Sequence, residues 1–335
     1  RSRLSRHSMT TPRLLSRRDF LATSAVALVG ANIAFAAPDA EPIIDIHQHT
    51  NYGGVRDKNF KQIQPGRSDE QLTAHQRAMG VTRTILLPAG RNVFRPSTHN
   101  GMSIGLQGTC GTNEDCMALA RANPKEFVFG ANEVSDLDDA PATIEKYLKL
   151  GAVVIGEQKF GVECDSAEMQ KLYQLAGAYR VPILMHWQVG TYNHSLDRFH
   201  TMLKKYPKVN FIGHAQTWWA NIDKACDNSP KNLYPTGKVT PGGFTDRYLG
   251  DYPNMFADLS AGSGLNAFKR DPDHAREFFK RHQDKLLYGS DCSDRVGQGK
   301  ACSGSQQIAQ VRAFAPGKAV ERKVLYENAK KLFRL

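Results

Sequence analysis

The chain has 335 residues, 41% of them hydrophobic, which is enough for a sizeable core in one or two domains. Its formal charge of +11 does not make it a nucleic-acid binder. Residues 1–36 hold six arginines against one acid, so +5 sits there, and the remaining +6 is spread out in pairs such as Lys204-Lys205 and Lys330-Lys331 on helix-like segments.

Residues 1–36 read as an address rather than a fold. "SRRDFL" (16–21) precedes the apolar stretch "LATSAVALVGANIAFA", which ends on Ala34-Phe35-Ala36, an A-x-A cleavage pattern. The segment resembles a bacterial twin-arginine signal. That resemblance implies the twin-arginine export machinery as a partner, a periplasmic or secreted location, and no stable membrane anchor after cleavage. The stretch is short and interrupted by Asn32, so a membrane span is not expected. Residues 37–335 are expected to form a single domain.

From residue 42 onward, short apolar runs alternate with helical patterns, and no repeat of 20 to 50 residues stands out. The runs are "IIDIH" (43–47), "TRTILLP" (82–88), "FVFGANE" (127–133), "AVVIGEQKF" (152–160), "VPILMHW" (181–187), "VNFIGHA" (209–215), "NMFADLS" (254–260) and "KLLYGSD" (285–291). Most are apolar on both alternations, as strands buried on two faces are. Apolar spacings of three and four predict helices over 68–80, 138–151, 166–180, 195–207, 272–284 and 319–335, the first with Ser68 as N-cap and Gly80 as stop. Strands alternating with helices predict parallel pairing, and eight such units predict an α/β fold closed as a distorted (β/α)8, or TIM, barrel. An open doubly wound sheet is the alternative, but no glycine fingerprint follows the first strand. The connections 89–117 and 216–250 are long, follow strands, and are expected at the C-terminal mouth.

The six cysteines contain no CxxC pair. An oxidising compartment would permit bridges, with Cys110–Cys116 and Cys292–Cys302 as the short-loop candidates; buried free thiols are the equal alternative.

Chemistry in such a barrel sits at the C-terminal strand ends. "IIDIHQHT" (43–50) places His47 and His49 at i and i+2, on one face of the first strand. Strand four offers Glu157, with Lys159 on the same alternation; strand five ends in His186, strand six in His214 and strand eight in Asp291. Burying so many polar groups without partners would cost several kcal/mol. A divalent cation would offset that cost. Imidazoles and carboxylates suit Zn2+ best, with Mn2+ and Fe2+ as alternatives. The remaining histidines (His7, His75, His99, His194, His200, His274, His282) fall on helical patterns or loops and are expected as surface or capping side chains.

Taken together, "IDIHQHT", "GEQKFG", "ILMHW", "FIGHAQ", "LLYGSDC" and "VLYENAKKLFRL" resemble the amidohydrolase superfamily, in particular its amidohydrolase-related (type 2) branch, over nearly all of 42–335. The resemblance implies a distorted TIM barrel holding one or two divalent ions. It implies His47, His49 and His186 as ligands, and Asp291 as the carboxylate that binds the metal and takes a proton from its water. His214 becomes a second-metal ligand or an acid–base residue. Glu157 is either a bridging ligand or the buried neighbour of Lys159. The implied activity is hydrolysis of an ester, lactone or amide in a small, carboxylated or aromatic compound by metal-activated water. The alternatives are non-oxidative decarboxylation of an aromatic or unsaturated acid, or an exported metal-binding protein without catalysis. Arg91, Arg95 and Arg295 follow strands and are candidates for holding a substrate carboxylate. Trp187, Tyr192, Trp218 and Trp219 are candidates for the pocket wall, with packing as the alternative. A homo-oligomer is compatible with all of this.

Overall fold

The computed structural model describes residues 41–98 and 105–335. The signal-like segment 1–36 and His99 lie outside the described residues.

Each of the eight apolar runs contains a strand of the barrel: β1 (Ile43–Gln48), β2 (Val81–Leu86), β3 (Phe127–Phe129), β4 (Ile155–Gln158), β5 (Ile183–His186), β6 (Phe211–His214), β7 (Met255–Asp258) and β8 (Leu286–Leu287). Neighbours in sequence pair in parallel, β1 through β3 in one sheet and β4 through β8 in another. A bridge from Ala131 to Ile155 joins β3 to β4. The Ile46 N–H donates to the Tyr288 carbonyl (3.1 Å) and the Asp291 N–H to the His47 carbonyl (2.9 Å), closing β8 onto β1. The result is a distorted (β/α)8 barrel with several very short strands.

Packing explains why the runs read apolar throughout. Ile44, Ile46, Ile85, Leu87, Val154, Leu184, Ile212 and Leu287 fill the interior. The other alternation, including Ile43, Leu86, Phe127, Ile155, Met185 and Phe211, packs under the helices. In β1 the ladder is irregular between Asp45 and Gln48, and His47 and His49 carry the inner face on to the mouth.

The helical expectations hold for α1 (Asp69–Ala78), α3 (Ala140–Lys149), α4 (Ala167–Tyr179) and α9 (Pro272–His282). Ser68 accepts from the Gln71 N–H, and Gln71 answers at the Ser68 N–H, a reciprocal cap for α1. The segment 195–207 is a 3-10 turn followed by the short α5 (His200–Lys205). The loop expected over 89–117 ends in α2 (Asn113–Ala122), and that over 216–250 holds α6 (Gln216–Ala220) and α7 (Phe244–Asp251). Two further helices, α8 (Ala261–Lys269) and α10 (Ser303–Phe314), pack against each other. A small antiparallel hairpin, Val55–Arg56 with Gln62–Gln64, follows β1.

The C-terminal helix expected over 319–335 is broken into α11 (Lys318–Arg322), a π turn over Lys323–Glu327, and α12 (Asn328–Phe333). Ala329, Leu332 and Phe333 of α12 pack on the interior cluster and close the barrel at the end opposite the mouth. Asn328 pins the plug by donating to the carbonyls of Gln283 and Leu286. No helix among the described residues is long and apolar enough to cross a membrane.

Candidate metal centre

The side chains of His47, His49, Glu157, His186, His214 and Asp291 converge at the C-terminal mouth. His47 Nε2 lies 3.2 Å from His49 Nε2 and 3.3 Å from Glu157 Oε2, which is 3.6 Å from His49 Nε2. Asp291 Oδ1 is 3.8 Å from His47 Nε2 and 3.6 Å from His49 Nε2. On the other side, Glu157 Oε1 touches His186 Nδ1 and is 3.5 Å from His214 Nε2. His214 Nε2 is 3.8 Å from Asp291 Oδ2. One glutamate thus stands between two histidine pairs, each carboxylate oxygen serving one pair. The imidazoles and Glu157 are buried, and the Asp291 side chain alone keeps noticeable exposure, 14%.

Outward contacts fix the rings. His47 Nδ1 lies 2.6 Å from Asp258 Oδ2, and His49 Nδ1 lies 2.7 Å from the Leu87 carbonyl. Ser260 Oγ donates to Asp258 Oδ2 at 2.8 Å and sits 3.0 Å from His214 Nδ1. These acceptors take Nδ1–H, so in the neutral rings the Nε2 lone pairs of His47 and His49 face each other. Burial lowers the His47 pKa, but Asp291, Asp258 and Glu157 outweigh burial and raise it well above its ordinary value, so a proton can hold that place where a cation does not. Asp45 secures the strand end from behind by accepting from the N–H groups of His47 and Ser290. The Tyr52 hydroxyl donates to Asp291 Oδ1 at 2.7 Å, and its ring meets His49 edge-on. Gly289 has to be glycine: a Cβ there would come within 2.4 Å of Asp258 Oδ1 and 2.9 Å of His47 Cβ.

The electrostatics follow from burial and neighbours. Burial opposes ionisation of Asp291, but His47 and, next to it, His49 outweigh burial and hold the carboxyl below the usual range. Burial likewise opposes Glu157, and His186, Lys159 and His47 reverse it. Burial and then the Lys159 ammonium push His186 down to about 4.

The substrate candidates fare differently. Trp187 and Trp218 are fully buried in the layer between sheet and helices. Each follows or leans on a strand end whose histidine points inward, so the indole takes the outward side. Trp187 packs on Phe199, and Trp218 lies so close to β6 that a Cβ on Gly213 would meet its ring at 2.4 Å. Neither walls the mouth. Trp219 is also outside, donating to the Asp258 carbonyl. Tyr192 does meet the cluster, edge-on to His186. Arg91 is held by Glu133 and Asp139, Arg95 pairs with Asp136, and Arg295 is exposed. Lys159 makes no ion pair with Glu157; its Nζ stands over the Tyr192 ring at 5.7 Å. Asp258, Ser260 and Tyr52 are additions that the sequence did not single out. Asp258 ends the run "NMFADLS", and a carboxylate at a strand terminus was its available signal.

The donor set fits a divalent cation. Two imidazole nitrogens 3.2 Å apart call for a positive charge between them, and the carboxylates complete three overlapping donor groups: His47, His49 and Glu157; His47, His214 and Asp291; and Glu157, His186 and His214. Fold and site together define a TIM barrel with a candidate metal centre at its mouth. No protein-family model and no curated protein matches the chain. Among solved structures it is similar to an uncharacterised TIM-barrel protein from Bordetella bronchiseptica (TM-score 0.56, 16% identity, 88% of this chain and 98% of that one). It is also similar to a probable 2-pyrone-4,6-dicarboxylic acid hydrolase from Acinetobacter baumannii with citric acid bound (TM-score 0.57, 11% identity, 88% and 99%). A third is a dihydroxybenzoic acid decarboxylase from Polaromonas with bound manganese and 2-nitroresorcinol (TM-score 0.52, 13% identity, 88% and 98%). At these identities the likeness establishes the shared barrel.

Proposed function

We propose that the protein is a metal-dependent hydrolase of an ester, lactone or amide bond in a small carboxylated compound. Glu157 carries this reading: its Oε2 faces His47 and His49 while its Oε1 faces His186 and His214. That arrangement suits one or two divalent ions, with Zn2+ favoured by four imidazoles and Mn2+ or Fe2+ as alternatives. Such an ion, when bound, polarises a carbonyl and lowers the pKa of coordinated water from about 16 to about 7.

The chain's own groups do the rest. Asp291, ionised and open to the mouth, is placed to accept a proton from the attacking water, while Tyr52 fixes its Oδ1. His214, backed by Ser260 and Asp258, faces Asp291 Oδ2 and is placed to steady the developing oxyanion or pass the proton to the leaving group. Lys159 beside Tyr192 is the mouth cation best placed for a substrate carboxylate, because Arg91 is already engaged by Glu133 and Asp139. Export through the segment 1–36 belongs to the same proposal.

A panel of lactones, esters and amides on metal-reconstituted protein, read as titratable acid, tests the activity. Asp291→Asn should lose at least about 10²-fold in rate; an unchanged rate would remove Asp291 from its role. The second reading, decarboxylation, is favoured by the likeness to a manganese-containing decarboxylase. Carbon dioxide release from aromatic acids, without hydrolysis of any panel member, would establish it instead.

A further inference from the structure

Cys292 follows Asp291 directly, yet its side chain turns away from the mouth toward α1 and the start of α10. There it meets Cys302, Sγ to Sγ 3.7 Å, and Cys302 Sγ lies 3.5 Å from His75 Nε2. One ligand atom from each of the three falls within 4.8 Å of the others, and all three residues are buried. His75, expected on a helix surface, is completely covered. Its Nδ1 has no hydrogen-bond partner, so the polar contacts of the ring run through Nε2 into this cluster. Asp294 Oδ2 is the nearby carboxylate oxygen, 3.9 Å from His75 Nε2.

The sulfur–sulfur and sulfur–nitrogen spacings match a tetrahedral metal shell, and Asp294 would move about 0.6 Å closer to join it. With metal–sulfur bonds of about 2.3 Å and metal–nitrogen bonds of about 2.05 Å, tetrahedral angles put two sulfurs about 3.8 Å apart and a sulfur and a nitrogen about 3.5 Å apart. A disulfide would need its sulfurs at about 2.05 Å. Two thiols and an imidazole also form a soft donor set, unlike the oxygen- and nitrogen-only set at the mouth.

We propose that His75, Cys292 and Cys302 form a second, structural site for a zinc-type divalent cation, with Asp294 as the oxygen donor that completes it. Binding holds both sulfurs as thiolates and releases whatever protons they carry. The ion ties α1, the loop after β8 and the N-terminus of α10 together. It thereby holds the loop that carries Asp291. The site stands apart from the proposed hydrolytic centre and does not depend on it.

Cobalt(II) titration of the reduced, metal-free full-length protein tests this, because the mouth donors include no sulfur. The expected result is a near-ultraviolet sulfur-to-cobalt charge-transfer band that persists in His49→Ala and disappears in Cys302→Ser. Absence of that band in the folded wild-type protein overturns the proposal, with no variant needed. So does a band that survives Cys302→Ser. Protein purified with zinc but without reductant should retain both thiols in mass analysis; a two-hydrogen deficit mapped to Cys292–Cys302 would show a disulfide there and overturn the site.

Discussion

At the scale of single residues, the centre depends on side chains that never reach its middle. Asp258 is buried and held ionised: burial pushes its carboxyl up, but His47 and His214 outweigh that and hold it low. It keeps the His47 proton on Nδ1 and so frees Nε2. Asp258→Asn is expected to weaken cation affinity about 10- to 100-fold with the fold intact, measured by competition with a chelator and by circular dichroism. Lys159→Met is expected to raise KM for carboxylated substrates with a smaller change in kcat, as loss of uniform binding does; Arg91→Met should leave KM nearly unchanged. The histidines and Asp291 were legible in sequence because they end apolar runs. Tyr52 was not, because it reaches Asp291 from a loop whose path no periodicity encodes. The tryptophans misled because an aromatic beside a strand-end histidine looks like a pocket wall until the alternation is known.

Elements were legible to the extent that burial wrote a period into them. The eight strands are apolar on both faces because the barrel interior and the helical layer both bury them. α8, "AGSGLNAFK", was not visible: two glycines and small side chains fit it closely against its neighbours but give little apolar period. α9, which was read correctly, carries testable electrostatics where it meets α7, a helix inside the connection expected as a loop. Asp246 on α7 accepts from His282 Nε2 at 2.6 Å and from Arg281 at 3.0 Å, both on α9. Partial burial pushes its carboxyl up, but those hydrogen bonds outweigh it and hold the pKa below the ordinary value. A carboxylate depressed in the folded state stabilises above its unfolded pKa of about 3.9 and loses that contribution as pH falls through the folded value. Asp246→Asn should therefore lower the urea midpoint at about pH 7 and do so much less at about pH 3.

For the molecule as a whole, the barrel has one sealed end and one chemical end. α12 supplies the seal, with Phe333, Leu332 and Ala329 against Ile44, Ile212 and Leu287. Phe333→Ala is expected to cost about 3–5 kcal/mol if the site does not collapse, seen as a lower Tm. The metal content of the folded fraction should stay unchanged, since the centre lies at the far end. Because the seal comes from α12, which follows all eight strands in the chain, the cylinder cannot be stoppered until every stave has been made. Until then the greasy bore stands open, and a chain cut just before α12 would carry a complete set of metal-seeking side chains on a body that cannot shut.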